Sequence, residues 1–171
     1  LISHFQINTF GAVRTTQACL DLLVASKGRV INISSESYRL RTPFQVYQSS
    51  KLALEGLSDV LRRELSHLDV QVTTIRPGAI NTELFAAMHE IQNPVENSRL
   101  TSPFERFRSM LERNAPKRLS EPEAVARLVY RAATDRRMRP HYEINNMLSL
   151  KFMSLLPTAV ADWLIKRLLR R

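Results

Sequence analysis

Residues 29–78, RVINISSESYRLRTPFQVYQSSKLALEGLSDVLRRELSHLDVQVTTIRPG, decide the fold. They open on RVINIS, a β-branched run bounded by Gly28 and a serine-rich turn. It is too short for a helix and apolar enough for a strand buried on both faces. The chain then loosens into a loop through residues 36–43. Leu52, Leu54, Leu57, Val60, Leu61 and Leu65 next recur at helical spacing with no proline among them, which predicts a long helix over 45–66. VQVTTIR reads as a second buried strand, ended by Pro77-Gly78, a pair that forces a turn. Strand, helix, strand with a helical connection predicts an α/β fold: a parallel sheet with flanking helices, whose ligands sit beyond the carboxyl ends of the strands. The places to look are therefore SSES after the first strand and PGAINT after the second.

Upstream, Phe5, Phe10, Val13, Leu20, Leu23 and Val24 predict one long helix over 2–26, stopped at Lys27-Gly28. Downstream, TELFAAMHE and PFERFRSMLER read as short helices separated by a polar stretch over 92–102, an insertion over the site. Ser120-Glu121-Pro122-Glu123 resembles a capping box opening a helix to about 133, and HYEIN reads as a last strand. Residues 1–146 are expected to form one domain, with 147–171 as an amphipathic basic tail.

The chain has 171 residues, 44% of them apolar, enough for one packed core, and carries no repeat. Its only cysteine, Cys19, lies among apolar residues and rules out a disulfide framework, which fits a reducing, cytoplasmic setting. His4, His67, His89 and His141 lack ligand spacing, so no metal site is expected. A net charge of +9 attracts anions, lipid surfaces or nucleic acid. The basic residues are spread along helices without interleaved aromatics, which argues for solvated helix faces and against nucleic-acid binding. In the tail, Val160, Trp163, Leu164 and Leu168 form an apolar stripe over 157–171 beside Lys166, Arg167, Arg170 and Arg171. That pattern suits peripheral membrane contact, or packing on the chain's own sheet or a second subunit.

Four groups carry chemistry: Asn8 in the first helix, Ser34-Ser35 at the end of the first strand, Tyr47 and Lys51 on the second helix, and Pro77-Gly78 with Thr82. Residues four apart share a helical face, so the Lys51 ammonium can sit near the Tyr47 phenol. A tyrosine has a pKa of about 10, and bringing it near 7 requires about 4 kcal/mol of phenolate stabilisation. A lysine and a cationic cofactor ring in a partly dry pocket can supply this. Successive strand residues face opposite ways, so one of Ser34 and Ser35 enters the site and the spacing leaves both open. Taken singly, these residues read as a surface pair, a capping pair and a turn. Their order and register argue otherwise.

INTFGAV, RVINISS, YQSSK and RPGAINT, in that order, resemble the second half of the short-chain dehydrogenases/reductases, strongly over residues 1–85. The resemblance implies a partial doubly wound, Rossmann-like sheet and an enzyme that interconverts a secondary alcohol and a ketone or aldehyde with NAD or NADP. It assigns Tyr47 as acid/base, and Ser35, the second serine, to polarise the substrate oxygen. It also assigns Asn8 to anchor a water linked to Lys51. Tyr47, Lys51, Pro77, Gly78 and Thr82 then meet the cofactor, and Ser35 and Tyr47 the substrate. The resemblance further implies a homo-oligomer through the helices near 2–26 and 45–66. Phe85, Met88, Phe104, Phe107 and Met110 suit an apolar, lipid-, steroid- or retinoid-like substrate, or simply helix packing. The 171 residues contain no T-G-x-x-x-G-x-G turn, so the expectation is a piece of a longer enzyme or a shortened non-catalytic dimerisation partner.

Overall fold

The computed structural model describes residues 2–83, 85, 97–116 and 118–170. Among these, three strands, β1 (Arg29–Ile33), β2 (Gln71–Pro77) and β3 (His141–Ile144), form a parallel sheet in the order β1-β2-β3. Val30 pairs with Val72, Ile33 with Ile75, and Ile75 in turn with Tyr142. Parallel strands need a crossover between them. α4 (Val46–Glu64) and a 3-10 turn, Leu65–Leu68, make the first, and α6 (Pro122–Thr134) belongs to the second.

The period-2 alternation of β2 divides the core between the two sheet faces. Val70 and Val72, each 1% exposed, pack with Leu65, Leu61, Leu20, Leu23 and Val24 on one side. Ile75 and Tyr142 pack with Ala132, Val125, Leu128 and Val129 of α6 on the other. β2 is thus the doubly covered strand that its sequence predicts. β1 is different: Ile33 is 43% exposed, and among the described residues β1 pairs along one edge alone.

The amino-terminal helix is not a single regular rod. An α-helical turn, α1 (Ile2–Phe5), passes into a π-helical segment, Gln6–Phe10, and then α2 (Gly11–Ala18). Cys19 leaves helical geometry at φ −99° and ψ 6° before α3 (Leu20–Ser26). Helical spacing alone cannot distinguish a regular helix from one interrupted in this way. The expected capping box at Ser120 is absent: Glu121 is the N-cap of α6 without a side-chain cap bond, and Ser120 instead bridges to Ile80. α5 (Thr101–Arg113) matches the second insertion helix. The tail folds as α7 (Leu148–Ser154) and α8 (Thr158–Arg170), and Arg106 of α5 donates to the carbonyl of Leu169 at 2.8 Å.

Candidate active site

β1 delivers the serine pair to the carboxyl edge of the sheet. Ser34 is 3% exposed; its N–H bonds to Ile75 O at 2.8 Å and its hydroxyl is buried without a protein partner. Ser35 is half-buried and extended (φ −163°), and caps a 3-10 turn, Glu36–Arg39, by accepting from the Ser37 N–H at 3.2 Å. The Ser37 hydroxyl donates to the same oxygen at 3.0 Å.

α4 carries Tyr47 and Lys51 one turn apart, both facing this strand end. Burial pushes the Tyr47 phenol above its usual range, and a hydrogen bond to Ser35 opposes that shift. Lys51 is 9% exposed, and burial pushes its ammonium down against the opposing charge of Glu55. The Lys51 Nζ lies 5.7 Å from the Tyr47 ring centroid and donates to Ile33 O at 2.8 Å. This refines the simple one-face picture: the ammonium is anchored to the strand that presents the serines. It sits over the tyrosine ring.

Asn8 lies within the π-helical segment and donates to Ser50 Oγ at 3.1 Å. Ser50, fully buried, donates to Tyr47 O at 2.7 Å, and Thr9 donates to Ser50 O at 2.9 Å. Asn8 thus reaches α4 through Ser50. Sequence reasoning missed Ser50 and Thr9; two small hydroxyl residues between Tyr47 and Lys51, in YQSSK, were the available signal. It also missed His4, whose ring meets that of Tyr47 edge-on at 6.5 Å.

Pro77 closes β2 and Gly78 follows it. A Cβ at Gly78 would fall 2.0 Å from Asn145 O and 2.8 Å from Glu36 Oε1, so the chain's own turn requires the glycine. Thr82 is exposed, and its Oγ1 accepts the Phe85 N–H at 3.2 Å. Phe85 is half-buried, and Met88 lies outside the described residues. Phe104 and Phe107 are buried against Phe44, with ring centroids 5.4 and 6.1 Å away, so they pack the insertion onto the loop before Tyr47. Phe44 holds φ 63°, a costly conformation for an aromatic residue, so those contacts also hold a strained turn three residues before the phenol.

Behind the site lies an ion network that the sequence did not suggest. The Arg76 Nη2 meets Glu55 Oε2 at 2.7 Å, Glu143 pairs with Arg39 and Lys151, and the guanidinium groups of Arg39 and Arg76 lie over the Tyr38 ring, 4.9 and 4.8 Å from its centroid. Among the described residues, no group of three His, Cys, Asp or Glu is arranged to hold a metal ion. A half-buried phenol and hydroxyl beside a buried ammonium at the carboxyl edge of a parallel sheet can exchange a proton with a bound oxygen and stabilise charge developing on it.

This fold belongs to a known class. The short chain dehydrogenase family matches residues 2–93, and the chain belongs to that family. It is 30% identical to the uncharacterized oxidoreductase YusZ of Bacillus subtilis over 96% of this chain and 61% of that protein. It is 29% identical to rat 17-beta-hydroxysteroid dehydrogenase type 6 over 96% and 56% respectively. A Burkholderia cenocepacia short chain dehydrogenase in complex with NADP has the same fold, with TM-score 0.63 at 21% identity over 96% of this chain and 58% of that one. The chain thus spans little more than half the length of these relatives.

Proposed function

We propose that this chain carries the proton-transfer part of an NAD- or NADP-dependent oxidoreductase that interconverts a secondary alcohol and a ketone or aldehyde on an apolar, steroid- or retinoid-like substrate. The observation that carries the reading is the pair of half-buried Tyr47 and buried Lys51, one helical turn apart, beside Ser35 at the end of β1. The residues present suit the nicotinamide end of the cofactor. Lys51 has three N–H donors, of which one is spent on Ile33 O, and the Ser34 hydroxyl is unpartnered at the same edge. Lys51, the Pro77–Gly78 turn and Thr82 would hold that end, and the bound cofactor would supply or accept hydride. The word oxidoreductase in the name of YusZ and the steroid activity in the name of the rat relative support the class and the apolar substrate.

The work of this chain is positional and electrostatic. With its phenol held up by burial, Tyr47 is protonated near neutrality and donates to the carbonyl oxygen during reduction. In the opposite direction it accepts the alcohol proton; the Ser35 hydrogen bond already acts to lower its pKa, and the positive ring of the oxidised cofactor would add to that. Ser35 donates to the same oxygen, and Asn8, through Ser50, holds the Tyr47 end of α4 in place. Tyr47→Phe should abolish turnover while cofactor binding changes little; retained turnover removes Tyr47 as the acid/base.

Two surfaces favour partners. Ile2 and Ile7 on the amino-terminal helix are 75% and 74% exposed, which favours a homo-oligomer through that helix and α4, or pairing of a non-catalytic chain with an intact enzyme. The tail exposes Leu148, Phe152, Leu155 and Trp163 beside Lys166, Arg167 and Arg170, which favours an anionic membrane surface. Among the described residues no single helix is long and apolar enough to cross a membrane; α7 and α8, bent by 117°, pass that test only as a pair. Trp163 is the single tryptophan of these residues. Its emission should shift to shorter wavelength with anionic vesicles and stay unchanged with neutral ones. No shift with either removes the membrane contact.

A further inference from the structure

Three turns meet at the carboxyl edge of the sheet, and the Glu36 carboxylate reaches from one of them to the other two. Glu36 follows the candidate catalytic serine, is 7% exposed, and begins the 3-10 turn that Ser35 caps. Its Oε2 accepts the Met147 N–H at 2.8 Å, across 111 residues of sequence. Its Oε1 lies against Gly78, at 2.8 Å from where a Cβ would stand. Gly78 in turn donates its N–H to Ile144 O at 2.8 Å, and Asn145 Nδ2 donates to Ala79 O at 2.7 Å. Asn145 adopts φ 53°, which turns the chain from β3 back over the glycine. One residue type therefore touches the serine loop, the turn after β2 and the turn after β3.

Arg39, at the other end of the same 3-10 turn, pairs with Glu143 of β3, and Glu143 also pairs with Lys151 of α7. The serine loop is thus held at both ends by the carboxyl end of the chain. A buried carboxylate costs free energy, and a hydrophobic residue of the same size would fill the space without that cost. What the carboxylate adds is an acceptor placed to meet the Met147 N–H while its second oxygen abuts Gly78.

We propose that Glu36 is a positioning residue that couples the Ser35 loop to the Pro77–Gly78 turn, fixing the spacing between the substrate-polarising hydroxyl and the nicotinamide-binding turn. The catalytic part of this statement rests on the dehydrogenase reading above, whereas the coupling itself does not. Glu36→Gln keeps an acceptor for Met147 N–H, and Glu36→Ala removes it and opens a gap beside Gly78.

The test compares both variants with the parent in the intact chain, by amide hydrogen exchange and by steady-state kinetics. In Glu36→Ala, exchange at Ser37, Gly78 and Met147 should quicken together by about tenfold or more while Val72 to Ile75 stay protected. Faster exchange at Met147 alone overturns the coupling. With a hydroxysteroid and NAD as probes, and retinol in its place if that gives no turnover, kcat of folded Glu36→Ala should fall by about tenfold and Glu36→Gln should restore it. A folded alanine variant with parental kcat and KM overturns the positioning role, as does a folded glutamine variant no better than alanine. A parent without any turnover defeats the dehydrogenase reading instead, and the exchange data then decide the coupling by themselves.

Discussion

At the residue scale, Glu36 and Glu143 sit a few residues' width apart and titrate in opposite senses. Burial pushes the Glu36 carboxyl up, against the Met147 N–H and the charge of Arg39. A carboxyl raised in the folded state favours folding below its unfolded value, and that contribution is lost as pH rises through the folded value. Burial also acts to raise Glu143, but hydrogen bonds from Lys151 and Arg39 outweigh it and hold the carboxyl below its usual range. Its contribution is present above the unfolded value, near 4.5, and is lost as pH falls through the folded one. Glu143→Gln should therefore lose stability relative to the parent at neutral pH, with the gap closing in acid. Glu36→Gln should gain relative to the parent as pH rises from acid to neutral. Denaturant unfolding across about pH 3 to pH 8 checks both signs, and parallel curves for the three proteins would remove the assignment.

At the element scale, the sheet is covered unevenly, and two isoleucines one strand apart measure the difference. Ile75 of β2 is fully buried under α6, whereas Ile33 of β1, its register partner, is 43% exposed. Ile75→Ala should cost about 2–5 kcal/mol. Ile33→Ala should cost no more than about 1 kcal/mol, because much of its side chain already meets solvent. Equal losses on chemical denaturation would mean that Ile33 is covered, as by a neighbouring strand or a second copy. The elements themselves were largely legible: β1, α4 and β2 fall within a few residues of their expected positions, because strong apolar periodicity and the breakers Gly28, Pro77 and Gly78 point the same way. The π-helical segment holding Asn8 was not, because a change in helical winding leaves apolar spacing nearly unaltered.

At the scale of the whole molecule, β1 leaves one edge unpaired among the described residues, Ile2, Ile7 and Phe10 of the amino-terminal helix are exposed, and the apolar tail follows β3, the strand at the opposite edge of the sheet. A strand edge with free backbone groups and neighbouring apolar side chains is a template for association. The 171-residue chain by itself should therefore sediment with a mass that rises with concentration. A monodisperse monomer with a cooperative unfolding transition would contradict this. Detergent that disperses the tail but leaves association intact would assign it to the β1 side.

By itself the sequence determined the class of fold and the identity of the residues that carry the proposed chemistry. Burial periodicity is written locally, and Tyr47 and Lys51 are brought together by the pitch of one helix. Ser35, Pro77 and Gly78 are placed at a common edge by strand direction alone. Only the tertiary structure decided what surrounds them: that Lys51 is anchored on Ile33, that Asn8 donates to Ser50, and that Gly78 is a glycine because Asn145 and Glu36 crowd it. These contacts, with the Met147 N–H bond to Glu36, join residues from 18 to 111 positions apart, and no local spacing rule constrains such distances. Long-range packing of one turn against another sets them, and it exists only once the sheet has aligned its strand ends.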